Sequence, residues 1–364
     1  KSGNSIGFIS RAPLSLFHYF LQCFSQSTNK LCNCSLWLFR SKRRLTHKNV
    51  TRSIAMTTTQ STDYNIIVMS DPQPWRLDLD NNDPNNDQSR WETTVKSVRD
   101  SIQALHREKS FAFGIINGDL TEFGRRSQRE SFRALFAPSP LGFNTYVGLG
   151  NHDYQNNVGD CAEPSNADYS MNACARGMVF DMHYRIEEYR NYATSGNFRY
   201  DSSEYSGSKA YSWEYGDIHF VQLQNYPTYH VVLDHWSAST INVTDSIDWL
   251  EKDLIQARNS NKTIILNFHD GNQHFPEKSS QEELTFFKYM LEHYGVKAVF
   301  VGHTHYVGQD NRYGGSEIFG DVPVYNSGAL FKGDYLAVEI RGTELSITVY
   351  NGLSGTPQLI EKWN

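Results

Sequence analysis

From residue 64 onward the chain alternates two kinds of pattern. Short uninterrupted apolar runs, ended by polar residues or glycine, give way to stretches where apolar side chains return every third or fourth position. The first kind fits buried strands and the second amphipathic helices. Asn65-Ile-Ile-Val-Met-Ser-Asp71 reads as a strand with a polar end. Ser89-Arg-Trp-Glu92 has the capping-box spacing and opens a helix with Val95, Val98, Ile102 and Leu105 on one face. A strand over Phe111–Gly118, a short helix over Gln128–Phe136 and a strand over Thr145–Gly150 follow. Residues 154–208 then break the rhythm. They are polar, rich in Tyr and Asn, and without a sustained period, which predicts a lid, a binding loop or a disordered insertion.

Order returns with Ala210–Tyr215 and Ile218–Gln224, which pair as a hairpin about Gly216-Asp217. A helix over 246–258 carries Ile247, Leu250, Leu254 and Ala257, and a strand over 263–268 follows it. A capped helix runs from Ser280-Gln-Glu-Glu283 to Gly295, with Leu284, Phe287, Leu291 and Tyr294 on one face. Strands Ala298–Val301, Tyr335–Ile340 and Glu344–Tyr350 complete the series. The alternation is that of an α/β fold. No internal repeat or long linker divides it, so 56–364 is expected to be one domain containing the insertion 154–208.

Charge separates the remaining piece. The 364 residues carry a formal −6, yet residues 1–55 hold nine Lys and Arg and no acidic residue. The other 25 basic and 40 acidic side chains give 56–364 a net −15. The leader starts at Lys1 and is rich in Arg, Lys, Ser and Leu, with a cluster at Arg40, Lys42, Arg43 and Arg44. Two readings stand: a mitochondrial transit-like segment, or a non-native stretch upstream of an initiator at Met56. Its apolar run Ala12–Phe24 is too short for a membrane span. Three of the five cysteines, Cys23, Cys32 and Cys34, lie in this leader. Cys161 and Cys174 alone remain, which favours a reducing compartment but leaves one bridge open. The cytoplasm is therefore the favoured location, with mitochondria the alternative. Asn33, Asn49, Asn242 and Asn261 stand in short glycosylation-type triplets that recur by chance.

The chemistry gathers at strand ends. Asp71-Pro-Gln73, Gly118-Asp119, Gly150-Asn151-His152-Asp153, His269-Asp270 and Gly302-His303-Thr304-His305 each follow a predicted strand directly. Ligands of open α/β sheets bind outside the carboxyl ends of strands, so these clusters should converge. Carboxylate, amide and imidazole donors without thiolate suit borderline-hard divalent ions. They outnumber the needs of one ion and match a two-metal site, with ions about 3.5–4 Å apart and a bridging carboxylate. Asp119 is the natural bridge. Glycines 118, 150 and 302 are expected to allow the tight turns that aim the ligands inward.

The order of these motifs from Asn65 to about Gly328 resembles the calcineurin-like metallophosphoesterase family. Tyr211-Ser-Trp-Glu-Tyr-Gly-Asp-Ile-His-Phe and Ile247-Asp-Trp-Leu-Glu-Lys-Asp-Leu resemble its central strands and the helix before its lone His. The resemblance implies a four-layer α/β/β/α sandwich. It implies a first ion held by Asp71, Gln73, Asp119 and His305, and a second by Asp119, Asn151, His269 and His303. His152 would be the general acid, oriented by Asp153, and a hydroxide between the ions would attack phosphorus. Gln73 stands where the family usually has His, as in its manganese-dependent ADP-ribose and CDP-alcohol pyrophosphatases. Two divalent ions, Mn, Fe or Zn with Mn favoured, are thus expected. Glu122 occupies the place of the ligating Tyr of purple acid phosphatases, which argues against a red iron enzyme. Asp270-Gly271 replaces the usual residues after the lone His.

The expected substrate is a small phosphodiester, diphosphate or nucleotide-like molecule. A nuclease or protein phosphatase of the same family, or a metal-poor binding scaffold, are the alternatives. The −15 argues against long nucleic acid, whose binding depends on phosphate neutralisation. Arg76 and His274 are candidates for substrate phosphate contact, against a plain surface Arg and loop His. His219 and His235 read as packed or surface histidines. Arg176, Arg185, Arg190 and Arg199 could form a substrate-facing cap. Asp83, Asp87 and the run Asn81–Asn86 read as a solvated loop. The oligomeric state is left open.

Overall fold

In the computed structural model, residues 63–76, 87–163, 170–192, 197–310 and 315–363 are described. The chain divides into Lys1–Thr57 and Thr58–Asn364. The leader, with its cysteines and two of its triplets, lies outside the described residues, as do Asp83 and Asn81–Asn86.

In chain order, the first half forms β1 (Asp63–Met69), α1 (Gln88–Lys109), β2 (Phe111–Asn117), α2 (Arg126–Phe136), α3 (Pro138–Leu141), β3 (Thr145–Gly148), α4 (Asn151–Tyr154), α5 (Ala173–Tyr192) and β4 (Arg199–Tyr200). The second half forms β5 (Tyr211–Tyr215), β6 (Ile218–Gln222), β7 (Val231–Leu233), β8 (Ile241–Val243), α6 (Ile247–Asn259), β9 (Thr263–Asn267), α7 (His274–Lys278) and α8 (Gln281–Tyr294). Strands β10 (Val296–Val301), β11 (Val307–Asp310), β12 (Val324–Ser327), β13 (Asp334–Arg341), β14 (Glu344–Asn351) and β15 (Gln358–Trp363) close it.

Two large mixed sheets result. The first has the order β15-β14-β13-β1-β2-β3 and the second β11-β12-β10-β9-β6-β5-β4, while β7 and β8 make a separate ribbon. Strands β1, β2 and β3 are mutually parallel, and so are β6, β9, β10 and β12. The sheets meet through aromatic side chains. Phe113 of the first sheet sets its edge against Phe220 at 5.2 Å and Tyr215 at 5.3 Å, and Tyr146 stacks on Trp213 at 4.0 Å. Such pairs contribute about 0.5–1.5 kcal/mol beyond the area they bury. Tyr64 and Tyr211 reach across with their hydroxyls to Tyr215 O and Val147 O, both at 2.9 Å.

Helix α1 covers the first sheet with buried Trp91, Val95, Val98, Ile102 and Leu105, and Ser101 bonds the Tyr335 hydroxyl at 2.7 Å. Helices α6 and α8 cover the second, where Phe287 packs on Phe268 and Phe275. The expected α/β/β/α sandwich is therefore the observed one. No helix among the described residues is long and apolar enough to cross a membrane.

Three expectations need correction. Helix α1 is capped by Asp87, whose Oδ1 accepts from Arg90 N at 3.0 Å, two residues earlier than the Ser89 pattern suggested. Asp87 is thus a cap and not merely part of a solvated loop. The Ser280–Glu283 box at α8 forms as expected, with bonds of 2.7 and 3.2 Å. The larger difference is α5, a 20-residue helix inside a stretch expected to be irregular. It buries Cys174, Val179, Met182, Ile186 and Tyr189. Small and sulfur-bearing residues alternate there with charged ones, so the apolar stripe is weak in sequence. Cys161 and Cys174 form a disulfide with Cα atoms 5.6 Å apart, tying the helix start to the preceding loop. The one bridge that the cysteine count left open is thus formed.

His219 is a packed residue, as expected. Its Nε2 lies 2.7 Å from Asp253 Oδ2, and Asp253 also accepts from Arg199 Nε at 2.6 Å and Ser212 Oγ at 2.8 Å. Burial would raise the Asp253 carboxyl, but the bond and charge of His219 and the charge of Arg199 hold it below its usual range. A depressed carboxylate stabilises the fold above its unfolded pKa and loses that contribution as acid titrates it. Asp253→Ala should lower unfolding free energy by about 3 kcal/mol in urea titration at pH 7. Asp253→Asn should flatten the fall in stability below about pH 4, and an unchanged acid limb would contradict this assignment.

Candidate metal centre

The carboxyl ends of β1, β2, β3, β9 and β10 open toward one place. The Asp71 N–H donates to Gly118 O at 3.2 Å and the Gln73 N–H to Asp119 O at 3.1 Å, stitching the first two strand ends together. Asn117 Nδ2 reaches Phe300 O at 3.0 Å, which locks the second sheet to the first, and Gly302 N reaches His269 O at 2.9 Å, which ties the ends of β9 and β10 to each other.

The backbone at this junction is unusual. Asp71, Gln73, Asp119, His303 and His305 all have positive φ, at 53°, 35°, 49°, 72° and 58°. Non-glycine residues seldom adopt this region, and such strain concentrates at functional sites. Each turn throws the side chain off the strand axis into the shared space. Of the three glycines expected to make turns, Gly118 does so with φ 83°. Gly302 serves another end: a Cβ there would fall on Ser70 Oγ and Asp71 Oδ2.

The seven expected ligands converge. Donor atoms of Asp71, Asp119 and His305 lie within 4.8 Å of one another, and so do those of Asp119, His269 and His303. Asp119 belongs to both groups. Asn151 Oδ1 lies 2.9 Å from His269 Nε2 and 3.0 Å from His303 Nδ1. Gln73 Nε2 donates to Asp119 Oδ2 at 3.3 Å, while its buried Oε1 has no hydrogen-bond partner. An orphaned amide oxygen beside two buried carboxylates fits a divalent cation, which accepts such oxygens. The donor set fits two.

Charge tells the same story. Burial opposes ionisation of Asp119, yet His269, His152 and His303 hold its carboxyl well below the usual range. Burial likewise opposes charge on His269, but Asp119 and Asp71 push the imidazole up to about 10. His303 is lowered to about 4, by burial and then by His269. A proton on His269 thus supplies the positive charge that the carboxylates demand. Loading such a site with metal must expel protons.

His152 sits at the edge of this group. Its backbone N donates to Asp119 Oδ1 at 2.9 Å and its Nδ1 meets Glu122 O at 2.9 Å. A carbonyl only accepts, so Nδ1 carries hydrogen and Nε2 faces Arg76 Nη1 at 3.5 Å. Burial lowers this imidazole's pKa, but Asp119 and Glu122 raise it further, for a net rise.

Asp153 does not orient the imidazole. Its carboxylate accepts from the N–H groups of Gly150, Leu120 and Thr121 and from Thr121 Oγ1, at 2.7 to 3.0 Å. It organises the β2 and β3 loop ends instead, and burial and Asp119 push it up to about 7. Position next to His152 suggested a dyad, but adjacent residues of the short helix α4 face different ways.

Arg76 lies in the site, 3.7 Å from Glu122 and 5.7 Å over the Phe331 ring. His274 is at its rim, with Nδ1 2.6 Å from Asp270 Oδ2 and its ring 5.3 Å from His303. The arginine-bearing cap does not form over the site. Arg176 donates to Leu233 O and Ser239 O, Arg185 covers Phe132, Arg190 meets Glu187 and Arg199 meets Asp253. His235 caps the exposed N–H groups of Ser237 and Ala238.

Two residues had drawn attention only as departures from a motif. Glu122 accepts from Gln73 Nε2 at 3.1 Å and lies 3.6 Å from His152 Nδ1, its carboxyl raised by burial and partly restored by His152 and Arg76. Asp270 is wholly buried beside His269. An acidic residue within three positions of a predicted ligand is the sequence signal that could have marked both.

Residues 64–307 match the family model for calcineurin-like phosphoesterases. No curated protein matches the chain. Among solved structures, a purple acid phosphatase from yellow lupin (Lupinus luteus) seeds matches at 14% identity and TM-score 0.52, over 84% of this chain and 54% of that one. The chain thus spans about half the length of that relative. A dimetal phosphatase from Danio rerio matches at 13% identity and TM-score 0.47, over 82% of this chain and 98% of the other. At that identity the lupin likeness bears on the fold alone. The family model covers well over half of the chain, and the protein belongs to the calcineurin-like phosphoesterases, hydrolases acting on phosphoric ester bonds.

Proposed function

We propose that the enzyme hydrolyses a small phosphodiester, diphosphate or nucleotide-like substrate at a two-metal centre. The observation that carries this reading is Asp119, shared by two ligand groups with His152 and Arg76 beside them. Asp71, Gln73 and His305 would complete one ion's shell, and Asn151, His269 and His303 the other's. The amide oxygens of Gln73 and Asn151 and the two carboxylates are hard donors, which favours manganese among Mn, Fe and Zn. When bound, two such ions supply a water activated at neutral pH and positive charge at the phosphoryl oxygens.

The chain's own residues do the rest. His152 holds Nδ1–H on Glu122 O, which turns Nε2 outward to deliver a proton to the leaving oxygen. Arg76, over Phe331, offers a guanidinium to a substrate phosphate. Glu122 braces both His152 and Gln73. The −15 body makes long nucleic acid a poor substrate, so small molecules are favoured over the nuclease alternative.

Elemental analysis of the purified protein should find close to two divalent ions, and added Mn²⁺ should support hydrolysis of an aryl phosphodiester. If no metal binds and Mn²⁺ rescues nothing, the scaffold alternative takes over. Asn151→Ala and His152→Ala should each reduce kcat by about 10²–10⁴. The His152→Ala loss should be larger for alkyl than for nitrophenyl leaving groups, since the latter need no proton. Equal losses on both would sink the general-acid role. Removing residues 1–55 should leave kcat and KM unchanged.

A further inference from the structure

His269, His152 and His303 are each fixed by a hydrogen bond to the ring nitrogen that faces away. For His269 that partner is Asn117 O at 2.7 Å, and for His152 it is Glu122 O. His303 differs, because its outer nitrogen meets side chains of one loop. Nε2 lies 2.9 Å from Gln273 Oε1 and 3.3 Å from Asp270 Oδ2. Both are acceptors and one is a carboxylate, whereas Nδ1 faces the single amide oxygen of Asn151 at 3.0 Å, so the ring hydrogen is drawn to Nε2 and Nδ1 is left for a cation.

The loop is itself built around Asp270. Its Oδ1 accepts from the N–H groups of Asn272 and Gln273 at 3.2 and 2.9 Å. Its Oδ2 accepts from His274 N at 3.0 Å and pairs with His274 Nδ1 at 2.6 Å. Asp270, His274 and His303 are also close enough together to hold an ion. These four local bonds, however, already satisfy the carboxylate, and a cation there would compete with them. A fixed anion that grips its own loop and faces an imidazole is better suited to orienting that imidazole.

Resting on the two-metal reading above, we infer that Asp270 and Gln273 are positioning residues for His303. They hold its hydrogen on Nε2 and so present Nδ1 to the second ion. His274 steadies Asp270 through the bond from its Nδ1. The arrangement makes the loop 270–274, which lies between two ligand-bearing strands, a determinant of occupancy at one ion and not the other.

The test uses the full chain with Mn²⁺ as probe. In metal-free wild type, nitrogen-15 histidine spectra should show His303 as the Nε2–H tautomer, and an Nδ1–H tautomer would overturn the inference without any variant. Calorimetric titration of wild type should show two Mn²⁺ sites, and finding none would defeat the two-metal reading itself. Asp270→Ala should weaken one site by about 10–100-fold and leave the other unchanged. Its kcat should recover at high Mn²⁺ with KM for substrate unaltered. If Asp270→Ala misfolds by circular dichroism, Gln273→Ala serves the same comparison, with a smaller loss at the same site. Two unchanged Mn²⁺ affinities in a folded variant would refute the positioning role.

Discussion

Two carboxylates, Asp71 and Asp119, lie fully buried where the sheets' strand ends meet, and everything around them answers that fact. Isolated negative charge in a protein interior is prohibitively costly, so counter-charge must be arranged by the fold. The imidazoles of His269, His303 and His305 arrive from the second sheet, and the acids come from the first. Neither sheet contains the site alone. The aromatic contacts that press the sheets together therefore also set the distances on which the centre depends.

Much of this was legible in the chain because strand ends are a topological feature, and the motifs at them are short and polar. Asp71, Gln73, Asp119, Asn151, His269, His303 and His305 could be named because each follows an apolar run directly. Parallel strands then bring their ends together without further information. The sheet order was not legible, since β13 inserts beside β1 from a distant part of the sequence. Helix α5 escaped because Cys, Ala, Met and Tyr make most of its buried stripe, and these do not stand out from a polar, Tyr-rich background. Asp153 was misread because sequence adjacency says nothing of direction. Its four bonds come from the loops at residues 118–121 and 150, a contact between segments that only folding creates.

The supporting residues follow a common logic. Backbone carbonyls orient His269 and His152, whereas side chains of loop 270–274 orient His303. Carbonyls of strand ends are present in any sequence that keeps the fold. A side-chain brace is a choice that substitution can alter, which makes the His303 side of the centre the more adjustable one. Glu122 plays a comparable part on the other side, joining the amide of Gln73 after β1 to the His152 ring after β3.

The left-handed backbone at five of the seven ligand positions bears on how long the folded chain persists. Each such residue holds a conformation that costs of order 1 kcal/mol or more, at a place where buried acids already disfavour the native state. The strand ends are thus the part of the molecule most ready to relax when no cation compensates them. Anything that binds only the folded form shifts the balance toward it in proportion to its concentration. On the two-metal reading, divalent ion supply would govern two quantities at once: how fast the enzyme turns over, and how large a fraction of its molecules stay intact to do so.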